Sequence, residues 1–181
     1  EAVVAMVGQE AFTNQVKRAV MATKDKALEY KDASLLATAV KKLSTIDPAE
    51  SKLLALSGTY ELAAKGNDLK AFQKAAKKYL SKGVGDYPAR LEAFHKVASA
   101  SRFIENDQVL SMVIDAAARS AAADTQTGFR KYYRLADFLL KKGKTDEALT
   151  YAKKAMEALS SPQPNYERAI KGLIQRIEEA R

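Results

Sequence analysis

Along most of the chain, hydrophobic positions recur every three or four residues, which is the spacing of one face of an α-helix. Such a stripe predicts an amphipathic helix over about Gln9 to Tyr30, with inward positions at Phe12, Val16, Ala19, Val20, Thr23 and Ala27. A last helix is predicted from Tyr166, Ile170, Leu173, Ile174 and Ile177. Runs of Val and Ile bounded by turn residues, which start strands, are nearly absent. The pattern therefore predicts an all-α fold.

Residues that start and stop helices separate these stripes. Asp47 before Pro48 predicts a helix start, because the carboxylate accepts amide bonds and Pro needs no donor there. Gly66 and Gly143 predict helix ends. Three more helices are predicted at about 68–82, from 87 to about 105, and from 124 or 125 to 142. In all, the pattern gives about nine helices in one domain, with hairpins at about 10–44, 49–82, 87–123 and 125–160 and a capping helix at 163–181.

The sequence also contains an internal repeat. The segment from Leu62 to Phe72 matches the segment from Leu139 to Leu149 in its Leu, Lys-Gly, Ala and apolar positions, at an offset of 77 residues. A weaker unit lies between them, with its turn at 103–107. A unit of about 38 or 39 residues is typical of stacked helical hairpins, in which each hairpin covers the apolar side of its neighbour. A helical bundle in which the likeness is coincidental is the alternative.

The last hairpin resembles the tetratricopeptide repeat. The residues that carry the resemblance are Tyr132, Leu135, Ala136, Leu139, Gly143, Ala148, Ala152, Ala155 and Pro162. The likeness is good over about 130–162 and partial over 53–83. It implies a right-handed stack of antiparallel hairpins, an α-solenoid, whose first helices line a concave face that holds a peptide.

Composition narrows the classes of partner. The formal net charge is +8, yet the basic residues lie in scattered pairs with acids between them. This favours solvated helix faces and argues against nucleic acid, for which a dense basic run is typical. No stretch approaches the roughly 20 apolar residues of a membrane span. A protein or peptide, including an acidic one, is the expected partner.

Candidate chemistry is sparse. The chain has no Cys, which excludes disulfides and thiol catalysis, and His95 is its single histidine. We predict no catalytic residues, no metal ligands and no cofactor. His95 is interpreted as a groove or surface histidine without a catalytic role. The Gly83-Val84-Gly85 run is interpreted as a turn, because it lacks the Gly-Lys-Ser/Thr ending of a phosphate loop.

A peptide-binding groove is the better candidate. The repeat register, together with basic residues nearby, predicts a basic groove with aromatic walls formed by Tyr60, His95, Lys96, Arg102, Arg130, Tyr133, Arg134, Asp137 and Lys141. Arg130 and Arg134 share a helix face, and the resemblance implies that such cations hold a partner's carboxylate. The asparagines that complete such a clamp in related stacks are absent. The alternative is that these residues are ordinary surface, or that Tyr132 and Tyr133 pack between helices.

Two functions are compatible with these patterns. The first is a non-catalytic scaffold that binds a protein or peptide in the concave face. The second is a helical accessory domain of a larger enzyme, for example a thioredoxin-like protein, whose catalytic domain lies upstream. Val3, Val4 and Val7 at the apolar start motivate the second, and we expect the chain to be a fragment of a longer protein. Self-association through an exposed end of the stack is compatible with either.

Overall fold

The computed structural model describes residues 8–81, 87–160 and 163–181, and this part of the chain is helical without strands. It contains nine α-helices and one short 3-10 helix, so the all-α prediction is confirmed for these residues. The loop predicted at 83–86 and Pro162 lie outside them. The helices are α1 Gln9–Tyr30, α2 Ala33–Ser44, α3 Pro48–Gly66, α4 Leu69–Tyr79, α5 Tyr87–Ser99, the 3-10 helix Arg102–Glu105, α6 Asp107–Ala122, α7 Gly128–Lys141, α8 Thr145–Glu157 and α9 Pro164–Glu179.

Side-chain caps set several of the helix starts. The Asp32 carboxylate accepts the amides of Ser34 and Leu35 at 2.8 and 3.0 Å at the start of α2. Asp47 does the same for α3, accepting the Glu50 amide at 2.9 Å. These bonds satisfy amides that have no partner inside the helix. The predicted Asp47-Pro48 helix start is therefore confirmed.

The turns between α3 and α4 and between α7 and α8 share one backbone geometry. Asn67 and Gly143 both have left-handed backbones, with φ of 62° and 70°. The Asp68 amide donates to the Ala63 carbonyl at 3.0 Å, and the Lys144 amide donates to Leu139 at 2.9 Å. Both bonds belong to the Schellman motif. Helix α3 ends at Gly66, as predicted, and the left-handed residue that follows is Asn67, a residue type that tolerates this conformation. The turn therefore recurs one position closer than the predicted offset of 77.

Helices α4 and α5 both end earlier than predicted. Helix α4 ends at Tyr79, where the buried Arg90 guanidinium donates to the Tyr79 carbonyl and, at 3.1 Å, to that of Ser81. Helix α5 ends at Ser99, whose hydroxyl donates to the His95 carbonyl at 2.7 Å. The contacts of Arg90 thus accompany the end of α4 before the predicted residue 82. A short 3-10 helix follows α5 in place of its predicted extension to residue 105.

Helix α7 begins later than the predicted Asp124 or Thr125. The Asp124 carboxylate accepts the amides of Gln126 and Thr127 at 3.1 and 2.7 Å and holds a turn before the helix. The helix then starts at Gly128, where a Cβ would collide with the Ala121 carbonyl oxygen. The glycine therefore lets the start of α7 approach the end of α6.

The chain divides into two compact units. Unit 1 comprises residues 1–90 and 100–105, and unit 2 comprises residues 91–99 and 106–181. Helix α5 thus begins in one unit and continues in the other, and the 3-10 helix belongs to unit 1. The prediction of one repeat domain stays a prediction.

In unit 1, helices α1 and α3 run in the same direction. Lys17 in the first half of α1 pairs with Asp47 at the start of α3, at 2.8 Å. Two turns later, Lys24 pairs with Glu61 further along α3, also at 2.8 Å. The core beneath them joins α1, α2 and α3 through Val20, Ala39, Leu43 and Leu54. A second, aromatic part of the core contains Tyr60, Phe72, Tyr79 and Phe103.

In unit 2, the final helix packs on a core formed by α6, α7 and α8. The core residues are Ala117, Leu135, Ala136, Leu139, Ala148, Leu149, Ala152, Leu173 and Ile177. The last two come from α9, and Ile170 of the same helix is also buried. Of the apolar stripe predicted for the final helix, Ile170, Leu173 and Ile177 therefore face the core as expected, whereas Tyr166 is exposed.

Alternate helices of unit 2 are parallel as well. Along α5 and then α7, Glu92 pairs with Lys131 and His95 contacts Phe138. Along α7 and then α9, Phe129 contacts Tyr166 and Asp137 pairs with Arg176. For each pair of helices, the contact that lies further along one helix also lies further along the other. Helices α5, α7 and α9 therefore run in one direction.

Candidate functional site

Two of the predicted groove residues belong to unit 1. Tyr60 is only 1% exposed, and its ring lies 6.1 Å from that of Phe72 and 4.9 Å from that of Tyr79. Burial raises the pKa of its hydroxyl far above the ordinary value. A ring this deeply buried offers no surface to a partner, so Tyr60 cannot line a groove as predicted. Arg102 is exposed, but it lies in the 3-10 helix rather than on α5.

Unit 2 contains an open pocket between α7 and α9, of about 290 Å³. Three of the predicted groove residues, Arg130, Tyr133 and Arg134, line it together. We call it the basic-aromatic pocket, and its lining residues are Phe129, Arg130, Tyr133, Arg134, Tyr166, Ala169 and Ile170. The lining includes two cations and no carboxylate. The predicted common face of Arg130 and Arg134 is therefore a wall of this pocket.

Aromatic rings hold the Arg130 guanidinium in place. Its central carbon lies 4.7 Å from the centre of the Tyr166 ring and 5.4 Å from that of Phe129. The two rings meet edge to face, 5.0 Å apart. Stacking on a ring face leaves the N–H groups at the guanidinium edge available to acceptors in its plane. Within the described part of the chain, neither Arg130 nor Arg134 forms an ion pair.

A smaller cleft lies on the other side of α7, toward α5. It measures about 50 Å³, and its lining residues are Glu92, His95, Ala117, Ser120, Lys131 and Arg134. We call it the His95 cleft. Arg134 lines both this cleft and the basic-aromatic pocket. Since a water molecule needs about 10–15 Å³ measured in this way, the cleft has room for only a few waters.

Lys131 links three elements at the His95 cleft. Its ammonium lies 3.2 Å from a carboxylate oxygen of Glu92, 3.2 Å from one of Asp124 and 3.2 Å from the Ser120 hydroxyl. Burial alone lowers the pKa of Lys131, but hydrogen bonds to the two carboxylates outweigh it and raise the pKa above its usual value. Lys131 is therefore protonated at neutral pH and donates to Ser120. It does not serve as the base that a Ser–Lys nucleophile needs.

His95 is held as a neutral ring. Burial lowers the pKa of its imidazole, and the nearby Glu92 only partly opposes this effect. Its ring meets that of Phe138 nearly edge on, with 6.2 Å between their centres. Nε2 is buried and has no hydrogen-bond partner among the described residues. The ring thus packs beside α7, and it lines the same cleft as Arg134.

The remaining predicted residues lie outside both cavities. Asp137 on α7 pairs with Lys141 at 2.7 Å and with Arg176 of α9 at 3.7 Å, so its charge is compensated. Lys96 is exposed on α5. The structure therefore brings together Arg130, Tyr133 and Arg134, with His95 across α7, and leaves Lys96, Asp137 and Lys141 beside them.

Comparisons with protein-family models, curated proteins and solved structures found no match. Among the described residues, no group of three or more His, Cys, Asp or Glu side chains could hold a metal ion. None of the described helices is both long and apolar enough to span a membrane.

Sequence reasoning missed two aromatic walls of the pocket. Tyr166 was assigned to the inward stripe of the final helix, yet it is 38% exposed and lies over Arg130. Phe129 was not singled out. The only signal for these two residues was their position in the chain. Tyr166 lies in the first turn of α9, at the beginning of the hydrophobic stripe, and Phe129 directly precedes Arg130.

Proposed function

We propose that this chain is a non-catalytic binding protein that holds a polypeptide partner at the basic-aromatic pocket of unit 2. One observation carries the proposal. Two arginine side chains line a pocket without a carboxylate, and neither is paired within the described residues. Arginines left without a counter-charge beside aromatic rings are suited to bind an anionic group.

The surroundings support an acidic partner. Lys131 and Asp137, which neighbour the two arginines on α7, are compensated by their own partners. The uncompensated charge of this face is therefore concentrated at Arg130 and Arg134. The net charge of +8 for the whole chain favours approach of an acidic partner at long range.

The proposal extends to a tetratricopeptide-like arrangement of hairpins. It is supported by the shared turn geometry around Asn67 and Gly143, and by the parallel course of alternate helices within each unit. In such stacks the first helices of successive hairpins face one binding surface. Helices α5 and α7 would be two of these, and the pocket lies on α7.

Binding is favoured over catalysis by the state of the polar groups nearby. Ser120 is 2% exposed, and the ammonium that contacts it carries a proton. His95 lies in a cleft with room for only a few waters. Neither arrangement presents an activated nucleophile to a substrate.

The test uses an array of random twelve-residue peptides probed with the full chain. We expect the bound peptides to be enriched in Asp and Glu. The double variant Arg130→Glu with Arg134→Glu should weaken binding of those peptides at least tenfold, because both donors are replaced by acceptors. Circular dichroism should show unchanged helicity.

The matched control is Lys70→Glu with Lys74→Glu. These lysines are exposed on α4 of unit 1, have the same spacing and undergo the same change of charge. This control should bind as the unaltered chain does. Peptide selection without acidic enrichment, or equal binding by the Arg130 and Arg134 variant, would overturn the proposal.

A further inference from the structure

The two arginines of the basic-aromatic pocket provide more positive charge than a single carboxylate can balance. They are four residues apart on α7 and therefore lie on one helix face. A carboxylate carries one negative charge and commonly pairs with one guanidinium fork. A phosphoryl group carries a charge of about −1.5 to −2 at neutral pH and has three acceptor oxygens. It can accept from both arginines at once.

The rest of the pocket is suited to a flat apolar group. Tyr133 and Tyr166 contribute rings, and Ala169 contributes aliphatic surface. The cavity of about 290 Å³ is large enough for a six-membered ring with a substituent. A small anion alone would leave these walls exposed to water, whereas an aromatic ring would cover them.

The pocket is also partly organised before a ligand arrives. Tyr166 and Phe129 stack on Arg130 and restrict its side chain. A restrained guanidinium loses less entropy on binding than a freely moving one. Arg134 lies one helical turn further along and reaches the pocket from the His95 cleft. Arg130 is thus restrained by the two rings, and Arg134 can complete the contact with the ligand.

We infer that the basic-aromatic pocket binds a phosphorylated tyrosine side chain of a partner polypeptide. This inference rests on the proposed function and specifies its ligand. The phosphoryl oxygens accept hydrogen bonds from Arg130 and Arg134. The tyrosine ring lies against Tyr133 and Tyr166, with the exposed Ala169 beside it.

The test measures fluorescence polarisation of four labelled peptides that differ only at the central residue, which is phosphotyrosine, tyrosine, glutamate or phosphoserine. The full chain should bind the phosphotyrosine peptide at least tenfold more tightly than the other three. Arg130→Gln and Arg134→Gln should each weaken that binding at least tenfold. Phenyl phosphate should compete at concentrations where inorganic phosphate does not.

A ring variant tests the aromatic wall separately. Tyr166→Ala should reduce the preference for phosphotyrosine over phosphoserine, while Lys70→Glu with Lys74→Glu should leave all four affinities unchanged. Equal affinity for phosphotyrosine and glutamate peptides, with Arg-dependent binding of both, would overturn this inference and leave the proposed function standing. Equal affinity for phosphoserine would also overturn it. Failure of all four peptides together with failure of the acidic array would overturn both proposals.

Discussion

His95 combines a titratable ring with a largely buried position. Its ring shares the cleft with Glu92 of its own helix and with Lys131 and Arg134 of α7. Protonation would add a positive charge beside two existing cations and only one carboxylate. Burial disfavours the charged ring more than the nearby Glu92 favours it, and the pKa is accordingly below its ordinary value.

This lowered pKa predicts a dependence of stability on pH. Below about 6.5, an unfolded chain protonates His95, whereas the folded chain resists protonation until the pH falls through the lower folded-state pKa. The stabilising effect of the neutral ring is therefore complete above about pH 6.5 and is lost as the pH falls below it. The variant His95→Gln should show a smaller decrease in Tm between pH 7.5 and pH 5 than the unaltered chain, as measured by circular dichroism.

The chain supplies its own control for this measurement. His95 is its only histidine, and the carboxylates that begin to titrate near pH 5 are the same in both proteins. Subtracting the two Tm profiles therefore isolates this one group. Parallel profiles across the whole range would show that His95 protonates equally in the folded and unfolded chains.

At the scale of elements, α9 covers the apolar side of the last helical pair. Leu173 and Ile177 are fully buried against the core of unit 2, while the opposite face of α9 carries charged residues such as Lys171. The same helix supplies Tyr166 to the pocket. Stability and the candidate site thus depend on one helix.

Removal of α9 should therefore destabilise unit 2 severely. A chain ending at Ser160 should aggregate or unfold at lower temperature, because α7 and α8 would expose their apolar side. In the full chain, Leu173→Ala should cost about 2–5 kcal/mol of unfolding free energy in urea titration. Lys171→Ala, on the exposed face of the same helix, should cost less than about 0.5 kcal/mol. An unchanged melting curve for the shortened chain would show that α9 does not perform this covering role.

Helix bounds set by neighbouring residues were predicted better than those set by contacts with other parts of the chain. The bounds of α1 and the Asp47-Pro48 start match the structure, because periodicity and caps are properties of neighbouring residues. The ends of α4 and α5 were wrong, since distant Arg90 binds the last carbonyls of α4 and α5 gives way to a 3-10 turn. The spacing of hydrophobic residues carries no signal for contacts of that kind.

The candidate site was also predictable only where it depends on residues of a single helix. The common face of Arg130 and Arg134 follows from their spacing along one helix. The contact of Arg130 with Tyr166 joins α7 to α9, and nothing in either stripe indicates that these helices share a pocket. Burial of Tyr60 was likewise hidden, because the repeat register aligned it with the polar residues Ser99 and Asp137.

At the scale of the whole molecule, the two units are interleaved along the sequence. Residues 91–99 belong to unit 2, while the following residues 100–105 belong to unit 1. The latter segment carries Phe103 and Ile104, each only 7% exposed, and Phe103 lies 5.3 Å from Phe72 between ring centres. Unit 1 therefore depends on a segment that follows part of unit 2.

This interleaving predicts how fragments behave. A fragment of residues 1–105 should be more stable than one of residues 1–90 by about 3 kcal/mol or more, because the shorter one lacks two buried side chains. Urea unfolding of both fragments measures the difference. The change Phe103→Ala in the longer fragment should remove a large part of its advantage. Equal stability of the two fragments would mean that residues 100–105 do not support unit 1.

The order of these segments also limits how recombination can divide the gene that encodes this chain. A breakpoint before residue 91 separates unit 1 from residues 100–105, and one after residue 105 separates unit 2 from residues 91–99. A breakpoint between those positions splits at least one unit as well. No single recombination event can therefore send the two units intact to different descendants, and they are expected to be inherited as one block.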